Sequence, residues 1–509
     1  MKLARSFAED FAPAAAPLET INGKPAIRLP GDGRLLSEFA AELGTLLAGE
    51  GVFARKGVAF ILDAEAQALA PATSGWLRTW AERAVVPYRA RVDASGEIKI
   101  VRSMAKDVAD AVLAAPQFIE KLPRVDRVHP CPMPWLRRDG RIELLEPGLD
   151  TESGTFTLDP GFTIEPLPMG EARMVLEILL EEFPFAEDRG RSKGVAIAAM
   201  LSVFAQGIMP PKSNKPVFIY LANAEGSGKT TLAQLAGLPY CDTPAEPAPR
   251  DDAEWAKKLL ALVISGRRLV LLDNLKGRLN SPALEAYTSS ATFSNRVLGA
   301  SREFAGEAGA VVLITGNDLQ WSPDLRRRSL AAELFMQELR AEDRKFRRTL
   351  TPATFAAIRR DALCAMWGLV VAWDRAGRSK GTRRNSSFPE WCDHIAGVVE
   401  FAGWACPSAP AELDGAGDTD TADFAVVAEA MVPSREYPFA EMVELASELG
   451  AFEGLVLQIE EGGKVSSGAR NRLARILSRF NGRRATAAGH FVCKGKGHAR
   501  RFSIMVAHE

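Results

Sequence analysis

The sequence predicts an α/β fold in which helices cover both faces of a parallel sheet. Three short apolar runs lead to this prediction: residues 217–222 (VFIYLA), 268–275 (RLVLLDNL) and 311–317 (VVLITGN). Each run is continuously hydrophobic rather than alternating, which is typical of parallel strands that are buried on both faces. Helical patterns separate the runs, so strands and helices alternate as in parallel α/β sheets.

The composition is that of an ordinary globular protein. The chain has 509 residues, of which 47% are hydrophobic and 25% charged. At about 150 residues per domain, this length suggests roughly three domains. The net charge is −1, which excludes a protein that is polybasic as a whole. Any nucleic-acid contact must therefore come from a local basic surface.

Cysteine usage and hydropathy indicate a cytoplasmic protein without membrane association. The six cysteines are scattered and never form a CxxC pair, so their spacing predicts neither a zinc site nor a disulfide framework. The first residues carry acids and prolines where a signal peptide needs an apolar run. No apolar stretch reaches the roughly 18–20 residues of a membrane span.

Residues 1–170 are predicted to form an N-terminal α/β accessory domain. Helical patterns occupy 35–50 and 105–122, a short strand is expected at 58–62, and Asp-Gly-Arg at 139–141 predicts a hairpin turn. We find no constellation of catalytic residues in this part. An accessory or oligomerisation role is the favoured interpretation.

A phosphate-binding loop follows the first apolar run directly and opens a helix. This order of strand, glycine-rich loop and helix is the context that a Walker A loop requires. The predicted nucleotide-binding residues are Asn223, Ala224, Glu225, Gly226, Ser227, Gly228, Lys229, Thr230 and Thr231. The alternative, a glycine-rich turn arising by chance, does not explain the correct order of the flanking elements.

The residue types of this loop suit ATP and Mg²⁺. Glycines allow the backbone to approach phosphate closely, and the N–H groups of a helix N-terminus bind phosphate oxygens. Lys229 is expected to contact the β- and γ-phosphates, and Thr230 to offer its hydroxyl to Mg²⁺. Asn223 stands where the first glycine is usual, and asparagine tolerates a left-handed backbone better than most residues.

The second apolar run ends in Asp273, which is placed to hold the Mg²⁺ shell as a Walker B aspartate. Asn274 follows it where many NTPases carry the glutamate that orients the attacking water. An amide does not accept a proton as a carboxylate does. Either hydrolysis is slow or the base comes from elsewhere, and Glu285 is the candidate. A solvated helix position is an equally good interpretation of Glu285.

The third apolar run ends in Asn317, which is expected to reach toward the γ-phosphate and the attacking water. Three consecutive arginines follow about ten residues later. Arg327 and Arg328 are the candidates for an arginine that crosses a subunit boundary and stabilises the charge of the transition state. The alternative is a solvated basic helix end.

Taken together, these motifs resemble AAA+ helicases of the superfamily 3 type, which occur in phages, prophages and other mobile elements and are often fused to a primase. The resemblance is carried by AEGSGKTTLAQ, LLDNLKGRLNSPALEAYTSS, RVLGASR, ITGNDLQWSPDLRRRSL and SFPEWCDHIAGVVEFAGW. This family often has Asp-Asn at the end of the Walker B strand. It also often has Thr-Gly-Asn followed by Asp-Leu-x-Arg-Arg. The resemblance extends over residues 120–405 and is weak elsewhere.

The resemblance implies an AAA+ P-loop NTPase core at 171–345, including the preceding helices, and a helical lid at 346–410. It also implies a homo-hexameric ring with ATP at subunit boundaries and single-stranded or forked DNA in the channel. An upstream primase module is not evident, so a separate primase or initiation protein becomes an expected partner. The predicted function is an ATP-dependent DNA helicase or translocase in replication of a phage or other mobile element. A DNA-bound AAA+ switch or scaffold without unwinding activity (a loader, regulator or defence protein) remains the alternative.

A β-hairpin is predicted just before the third run, within residues 293–310. In the related helicases a hairpin at this place grips the DNA backbone, and Arg296 and Arg302 are the corresponding cations. Contacts to phosphate carry no sequence information, which suits a translocating motor. Glu303 and Glu307 oppose this interpretation because they add negative charge. A structural role for Arg296 is the alternative.

The last part of the chain, 424–509, is predicted to be a separate DNA-binding domain. Residues 464–508 contain eleven Lys or Arg residues and no acid. A basic helix at 468–480 followed by a basic hairpin at 490–504 resembles a winged helix, and phosphate neutralisation by such a surface predicts salt-dependent binding. The predicted contacts are Arg472, Arg475, Arg479, Arg483, Arg484, Lys494, Lys496, Arg500 and Arg501. A solvated or partner-docking surface is the alternative.

Overall fold

The structure is a computed structural model of the chain. It describes residues 20–31, 33–92, 98–101, 103–222, 226–240, 243–297, 303–317, 319–335, 350–410, 419–452, 456, 473–474, 476–478, 480, 484–486, 489–495 and 500–506. The chain divides into two compact units. The first unit comprises Met1–Lys276, Asn280–Asn317 and Ser322–Ser408, and the second comprises Gly277–Leu279, Asp318–Trp321 and Ala409–Glu509.

The N-terminal part of the first unit is a mixture of small sheets and short helices. Its strands are β1 (Thr20–Ile21), β2 (Lys24–Arg28), β3 (Val52–Arg55), β4 (Val58–Asp63), β5 (Ala68–Pro71), β6 (Val86–Val92), β7 (Ile98–Val101), β8 (Arg127–His129), β9 (Pro134–Leu136), β10 (Ile142–Leu144), β11 (Gly148–Asp150) and β12 (Thr155–Thr157). Its helices are α1 (Leu36–Leu47), α2 (Ser74–Ala84), α3 (Lys106–Ala114) and α4 (Pro116–Ile119).

These elements form four sheets, with strand orders β1-β2-β6-β7, β3-β4-β5, β11-β12-β8 and β10-β9. The hairpin turn predicted at 139–141 joins β9 and β10, and Gly140 has a positive φ of 87° there. The single helix predicted at 105–122 is instead two helices. Pro116 lacks an N–H and disfavours a helical residue before it, so it starts α4 while Ala115 is extended.

A five-stranded parallel sheet forms the centre of the first unit. Its strands are β13 (Val217–Ala222), β14 (Ala245–Pro247), β15 (Leu269–Leu275), β19 (Val311–Gly316) and β21 (Ser329–Leu334), and their spatial order is β14-β15-β19-β13-β21. All the pairings are parallel. The three apolar runs therefore form β13, β15 and β19, and the prediction of an α/β fold with a parallel sheet is confirmed.

Helices cover this sheet and complete its core. They are α5 (Met169–Leu180), α6 (Arg191–Phe204), α7 (Lys229–Ala236), α8 (Asp252–Ser265), α9 (Pro282–Ser289), α10 (Pro323–Arg326), α11 (Pro352–Arg375), α12 (Pro389–Trp391) and α13 (Gly397–Phe401). One core cluster contains buried side chains from α5, α6, β13, β19 and α11. Trp391, for example, packs edge-on against Phe218 of β13 and donates its indole N–H to Ser202 of α6.

An antiparallel hairpin, β17 (Thr292–Arg296) and β18 (Glu303–Glu307), immediately precedes β19. The predicted hairpin is therefore present. It packs on α8, where an added Cβ at Gly306 would lie 2.6 Å from Val263. This contact fixes the base of the hairpin to a helix of the central sheet.

The second unit contains α14 (Thr419–Ala430) and α15 (Phe439–Glu448), with an antiparallel sheet of order β22-β25-β24-β23. Its strands are β22 (Tyr437–Pro438), β23 (Arg484–Thr486), β24 (Gly489–Lys494) and β25 (Arg501–Val506). Its core includes Phe424, which stacks on Phe480 with ring centroids 3.9 Å apart. A two-stranded parallel pair, β16 (Arg278–Leu279) with β20 (Gln320–Trp321), also belongs to this unit. Among the described residues, no helix has the length and apolarity needed to cross a membrane.

Candidate nucleotide-binding site

The candidate site lies at the carboxyl edge of the central sheet. From β13 the chain passes to the far edge strand β14, returns through β15 and β19, and then places β21 on the other side of β13. In open parallel sheets, ligands bind beyond the carboxyl ends of strands where the strand order changes direction. The carboxyl ends of β13, β15 and β19 all lie at this edge.

The described part of the predicted phosphate loop contains two glycines with a left-handed backbone. Gly226 and Gly228 have positive φ values of 74° and 91°, which only glycine adopts without strain. Gly228 is the N-cap of α7, so the free N–H groups of this helix open directly from the loop. An added Cβ at Gly228 would lie 3.4 Å from the Phe183 ring, so this aromatic side chain backs the loop. Asn223, Ala224 and Glu225 lie outside the described residues.

Two threonines and one aspartate meet at the carboxyl edge. The Thr230 hydroxyl, in the first turn of α7, donates to Asp273 Oδ1 at 2.8 Å. The Thr315 hydroxyl, near the end of β19, donates to the same oxygen at 2.5 Å. A hydroxyl and a carboxylate, both hard oxygen ligands, suit Mg²⁺, which typically keeps several waters and binds only one or two protein groups. Thr230 and Asp273 are therefore the residues that would hold the metal.

An irregularity in β15 places the Asp273 carboxylate beside the Thr230 and Thr315 hydroxyls. The register between β15 and β19 shifts between Leu272 and Leu275, which is the signature of a bulge. Within the bulge Asn274 takes a left-handed conformation with φ 56°, and its N–H donates to the Thr315 hydroxyl at 2.9 Å. Thr315 therefore positions both residues, and the Asn274 side chain is exposed to solvent.

Asn317 follows β19 and carries an unsatisfied polar atom. Its Oδ1 is buried and has no hydrogen-bond partner among the described residues. Buried side-chain oxygens nearly always have a partner, so an isolated one is a candidate for binding a ligand or water. Asn317 directly follows β19, at the edge where a side chain could reach a terminal phosphate.

Lys229 and Thr231 begin α7 and are half-buried. No salt bridge involving Lys229 is present among the described residues. An ammonium group at the start of the helix is thus available for a phosphate, together with the neighbouring backbone N–H groups.

Glu285, in the first turn of α9, is engaged elsewhere. Its carboxylate accepts a hydrogen bond from the Ser322 hydroxyl, and Ser322 in turn caps α10, where it accepts from the Leu325 N–H at 3.1 Å. The structure therefore joins Glu285 to the segment that carries the arginines. Among the described residues, the Glu285 carboxylate bonds to Ser322 and makes no hydrogen bond to Asp273.

The two candidate arginines lie just after α10 and are held in place by several contacts. Arg327 is exposed, forms an ion pair with Asp324 at 2.6 Å, and its carbonyl accepts from the Asn385 amide at 3.1 Å. Arg328 donates to the Ser289 hydroxyl of α9 at 3.0 Å. These contacts connect the segment to α9 and to Asn385, while the Arg327 side chain remains exposed.

The hairpin places Arg296 in an exposed position, paired in register with Glu303, whereas Arg302 lies outside the described residues. Glu307 accepts hydrogen bonds from Arg127 and Arg268, so its charge is compensated inside the protein. The sequence suggested that the negative charge of Glu307 would oppose a DNA contact by the hairpin. Because this charge is compensated, Glu307 does not oppose such a contact.

In the second unit, Lys494 and Arg501 face each other across β24 and β25. Lys494 is 61% exposed and lies 3.9 Å from Glu436, and Arg501 is exposed. Arg500 is half-buried and donates to the Ala474 carbonyl at 2.9 Å, which is a structural contact. Arg484 begins β23, and the other predicted cations lie outside the described residues: Arg472, Arg475, Arg479, Arg483 and Lys496.

Comparison with known proteins gives little further information. No family model and no curated protein matches the chain. A structure of JCV helicase with a bound acetamide compound matches 46% of this chain and 64% of that chain, with 12% identity and a TM-score of 0.21. SCCmec type IV Cch, described as an active helicase, matches 87% of each chain, with 11% identity and a TM-score of 0.27.

The match to JCV helicase thus spans less than two thirds of that protein. TM-scores this low establish neither a shared fold nor a shared activity. The function has to be inferred from the geometry of the site itself.

Proposed function

We propose that this protein is an ATP-dependent DNA helicase or translocase that acts in replication of a phage or another mobile element. The observation that carries the nucleotide part of this proposal is the meeting of Thr230 and Asp273, 2.8 Å apart, beside a helix that starts in a glycine loop. A hydroxyl and a carboxylate at the carboxyl edge of a parallel sheet, next to a phosphate-binding helix N-terminus, fit a Mg²⁺-nucleotide.

In this proposal the chain contributes mainly positioning and charge. The α7 N–H groups and Lys229 bind the β- and γ-phosphates. Thr230 and Asp273 would hold Mg²⁺, which would neutralise charge on the phosphate oxygens. Thr315 keeps the Asp273 carboxylate oriented, and Asn317 offers its isolated oxygen to the attacking water. Phosphoryl transfer needs little covalent chemistry from the protein, so positioning and charge are the main contributions expected of these residues.

A homo-hexameric ring would complete the site. Arg327 is exposed on a segment that α9 and the loop around Asn385 hold in place, which suits an arginine delivered to the nucleotide of a neighbouring subunit. Arg328 is the second candidate for the same role. An arginine in this position stabilises the transition-state charge.

DNA is the proposed substrate of the motor. The β17–β18 hairpin presents Arg296 near its tip, and β24–β25 brings Lys494 and Arg501 together on the second unit. We propose that the second unit is a winged helix whose wing is the β24–β25 hairpin. Phosphate contacts of this kind predict binding that weakens steeply with salt. A separate primase or initiation protein is the proposed partner.

Two measurements test the motor. Lys229→Ala should abolish ATP hydrolysis while the protein remains folded, and unchanged hydrolysis would disprove the assigned site. ATP-dependent strand displacement on forked DNA by the wild-type protein, absent in Lys229→Ala, supports the helicase. Absence of binding to single-stranded and duplex DNA at low salt would exclude any DNA motor.

One observation favours a second candidate, a DNA-bound AAA+ switch that hydrolyses ATP slowly and recruits partners. The residue after Asp273 is Asn274, which lacks a carboxylate, and the Glu285 carboxylate is engaged with Ser322. A well-placed general base contributes about 10²–10⁴-fold to the rate, so its absence predicts slow turnover. DNA binding that depends on ATP, without strand displacement, would identify the switch.

A further inference from the structure

At the amino edge of the central sheet, one carboxylate joins three parts of the first unit. Glu307, the last residue of β18, accepts hydrogen bonds from Arg127 at 2.9 Å and from Arg268 at 3.1 Å. Arg127 belongs to β8, in the N-terminal part of the chain. Arg268 immediately precedes β15, and the opposite end of β15 carries Asp273. The base of the hairpin is thus tied both to the nucleotide-binding sheet and to the N-terminal part.

Arg268 in this ion-pair cluster is buried, and Arg127 and Glu307 are half-buried. The exposed side-chain fractions are 8% for Arg268, 13% for Arg127 and 29% for Glu307. Burial alone would raise the pKa of the Glu307 carboxyl group, but Arg268 and Arg127 hold it well below its ordinary value. Glu307 is therefore ionised at neutral pH, and loss of Arg127 would leave its charge compensated only by the remaining cations, Arg268 and Lys215.

Arg268 is itself fixed by its neighbours. Its Nε donates to the Gln206 side chain at 3.0 Å, and its backbone N–H donates to the Tyr240 hydroxyl at 3.1 Å. Gly309 packs directly against its guanidinium, with no room for a Cβ between them. The Arg268 guanidinium is therefore held between Gln206, Gly309 and Glu307.

A second arginine from the N-terminal part contacts the same region. Arg55 of β3 lies over the ring of Phe304 in β18, 5.9 Å from its centroid, and donates to the carbonyl of Ile264 in α8. Gly266, which ends α8 with φ 68°, lies against the backbone of Arg127. The N-terminal part therefore packs on both the hairpin and the helix beneath it.

We propose that Arg127, acting through Glu307, positions the β17–β18 hairpin, so that the N-terminal part of the chain controls how the motor holds DNA. This inference rests on the proposed function, because it assigns the hairpin a DNA contact. A two-stranded hairpin is only marginally stable alone, so the placement of β17 and β18 depends on what fixes their base. Arg268 links the same base to β15, which contains Asp273, and so connects the nucleotide site to the hairpin.

The test compares Arg127→Met with the wild-type protein by hydrogen exchange and by DNA-stimulated ATP hydrolysis. Amide exchange within 292–296 and 303–307 should become about tenfold faster, because the base of the hairpin opens locally. DNA stimulation of hydrolysis should fall by a similar factor, while hydrolysis without DNA stays within about twofold of wild type. A purely structural role of Arg127 would lower both activities together.

Glu303→Gln is the matched control for the exchange measurement, because Glu303 lies on the same strand but is exposed, and the hairpin of this variant should exchange as in the wild-type protein. Arg127→Lys keeps the charge and should retain intermediate protection if Arg127→Met fails to fold. In a double-mutant cycle, Glu307→Gln should increase the exchange rate of the hairpin less in the Arg127→Met background than in the wild-type protein.

Wild-type exchange of the hairpin in Arg127→Met or Arg127→Lys would overturn the proposal, as would additive effects in the cycle. The exchange measurement needs no DNA. If the wild-type protein fails to bind DNA, the proposed function fails, whereas faster hairpin exchange would still support the positioning role of Arg127.

Discussion

At the residue scale, Thr315 connects the parts of the candidate site. Its hydroxyl donates to Asp273 and accepts from the Asn274 N–H, so one side chain orients both residues at the end of β15. The sequence places Thr315 only within a strand end that resembles a helicase motif. Its role depends on the bulge in β15, which no local pattern in the sequence reveals.

Thr315→Val should therefore weaken the use of Mg²⁺. The Asp273 carboxylate loses a donor and the Asn274 N–H loses its acceptor, and leaving such a group unsatisfied costs about 1–3 kcal/mol. We expect the Mg²⁺ concentration for half-maximal hydrolysis to rise about tenfold or more, in line with that energy. Thr315→Ser keeps the hydroxyl and is the control; equal Mg²⁺ dependence of all three proteins would contradict the assignment.

The backbone of Asn274 makes a separate prediction about stability. Because φ is 56° there, Asn274→Ala should cost about 1 kcal/mol, whereas Asn274→Gly should cost less. Chemical denaturation followed by circular dichroism measures the difference. If the alanine variant is at least as stable as the glycine variant, the left-handed conformation is not what selects the residue.

At the element scale, two adjacent arginines of the second unit have different surroundings. Arg500 donates to the Ala474 carbonyl and joins the sheet to a helical residue, whereas Arg501 starts β25 with its side chain exposed beside Lys494. Basic residues at neighbouring positions thus divide into one structural contact and one candidate DNA contact. The count of eleven basic residues in the sequence does not separate them.

Arg501→Ala should weaken DNA binding and reduce its salt dependence by about one counterion, without lowering the melting temperature. Arg500→Ala should destabilise the protein by about 1 kcal/mol, because the hydrogen bond from half-buried Arg500 to the carbonyl of buried Ala474 is lost. Fluorescence anisotropy over a salt series and thermal denaturation measure the two effects. The opposite pattern would reverse the roles assigned to these arginines.

At the scale of the whole molecule, the proposed ring makes hydrolysis a shared property of two subunits. Lys229 lies in the phosphate loop, whereas Arg327 is exposed on a segment that α9 and the Asn385 loop support. If each site takes Lys229 from one subunit and Arg327 from the next, loss of the lysine and loss of the arginine affect different subunits of the same site. Single-subunit hydrolysis would leave both residues acting within one chain.

Mixing Lys229→Ala with Arg327→Ala subunits should therefore restore part of the activity that each variant lacks alone. Some interfaces in a mixed ring combine an intact loop with an intact arginine. In an equal mixture, half of the subunits carry an intact phosphate loop and half carry an intact Arg327. Random assembly should therefore give about one quarter of interfaces with both residues intact. ATP hydrolysis measured across mixing ratios detects the effect, and Arg328→Ala serves as the parallel test. No gain at any ratio would exclude the shared site.

The sequence by itself determined the strands β13, β15 and β19, the glycine loop and the hairpin before β19. Each of these features is specified by a short stretch of neighbouring residues, such as a continuous apolar run or a pair of glycines. The tertiary structure decided which polar groups meet. Thr315 reaches Asp273 only because β19 lies beside β15, and Glu285 bonds to Ser322 because α9 packs near α10. Glu307 reads as an exposed acid in the sequence, yet it is neutralised by Arg127, which lies 180 positions away. Contacts between residues so distant in the chain depend on packing, which local patterns do not encode.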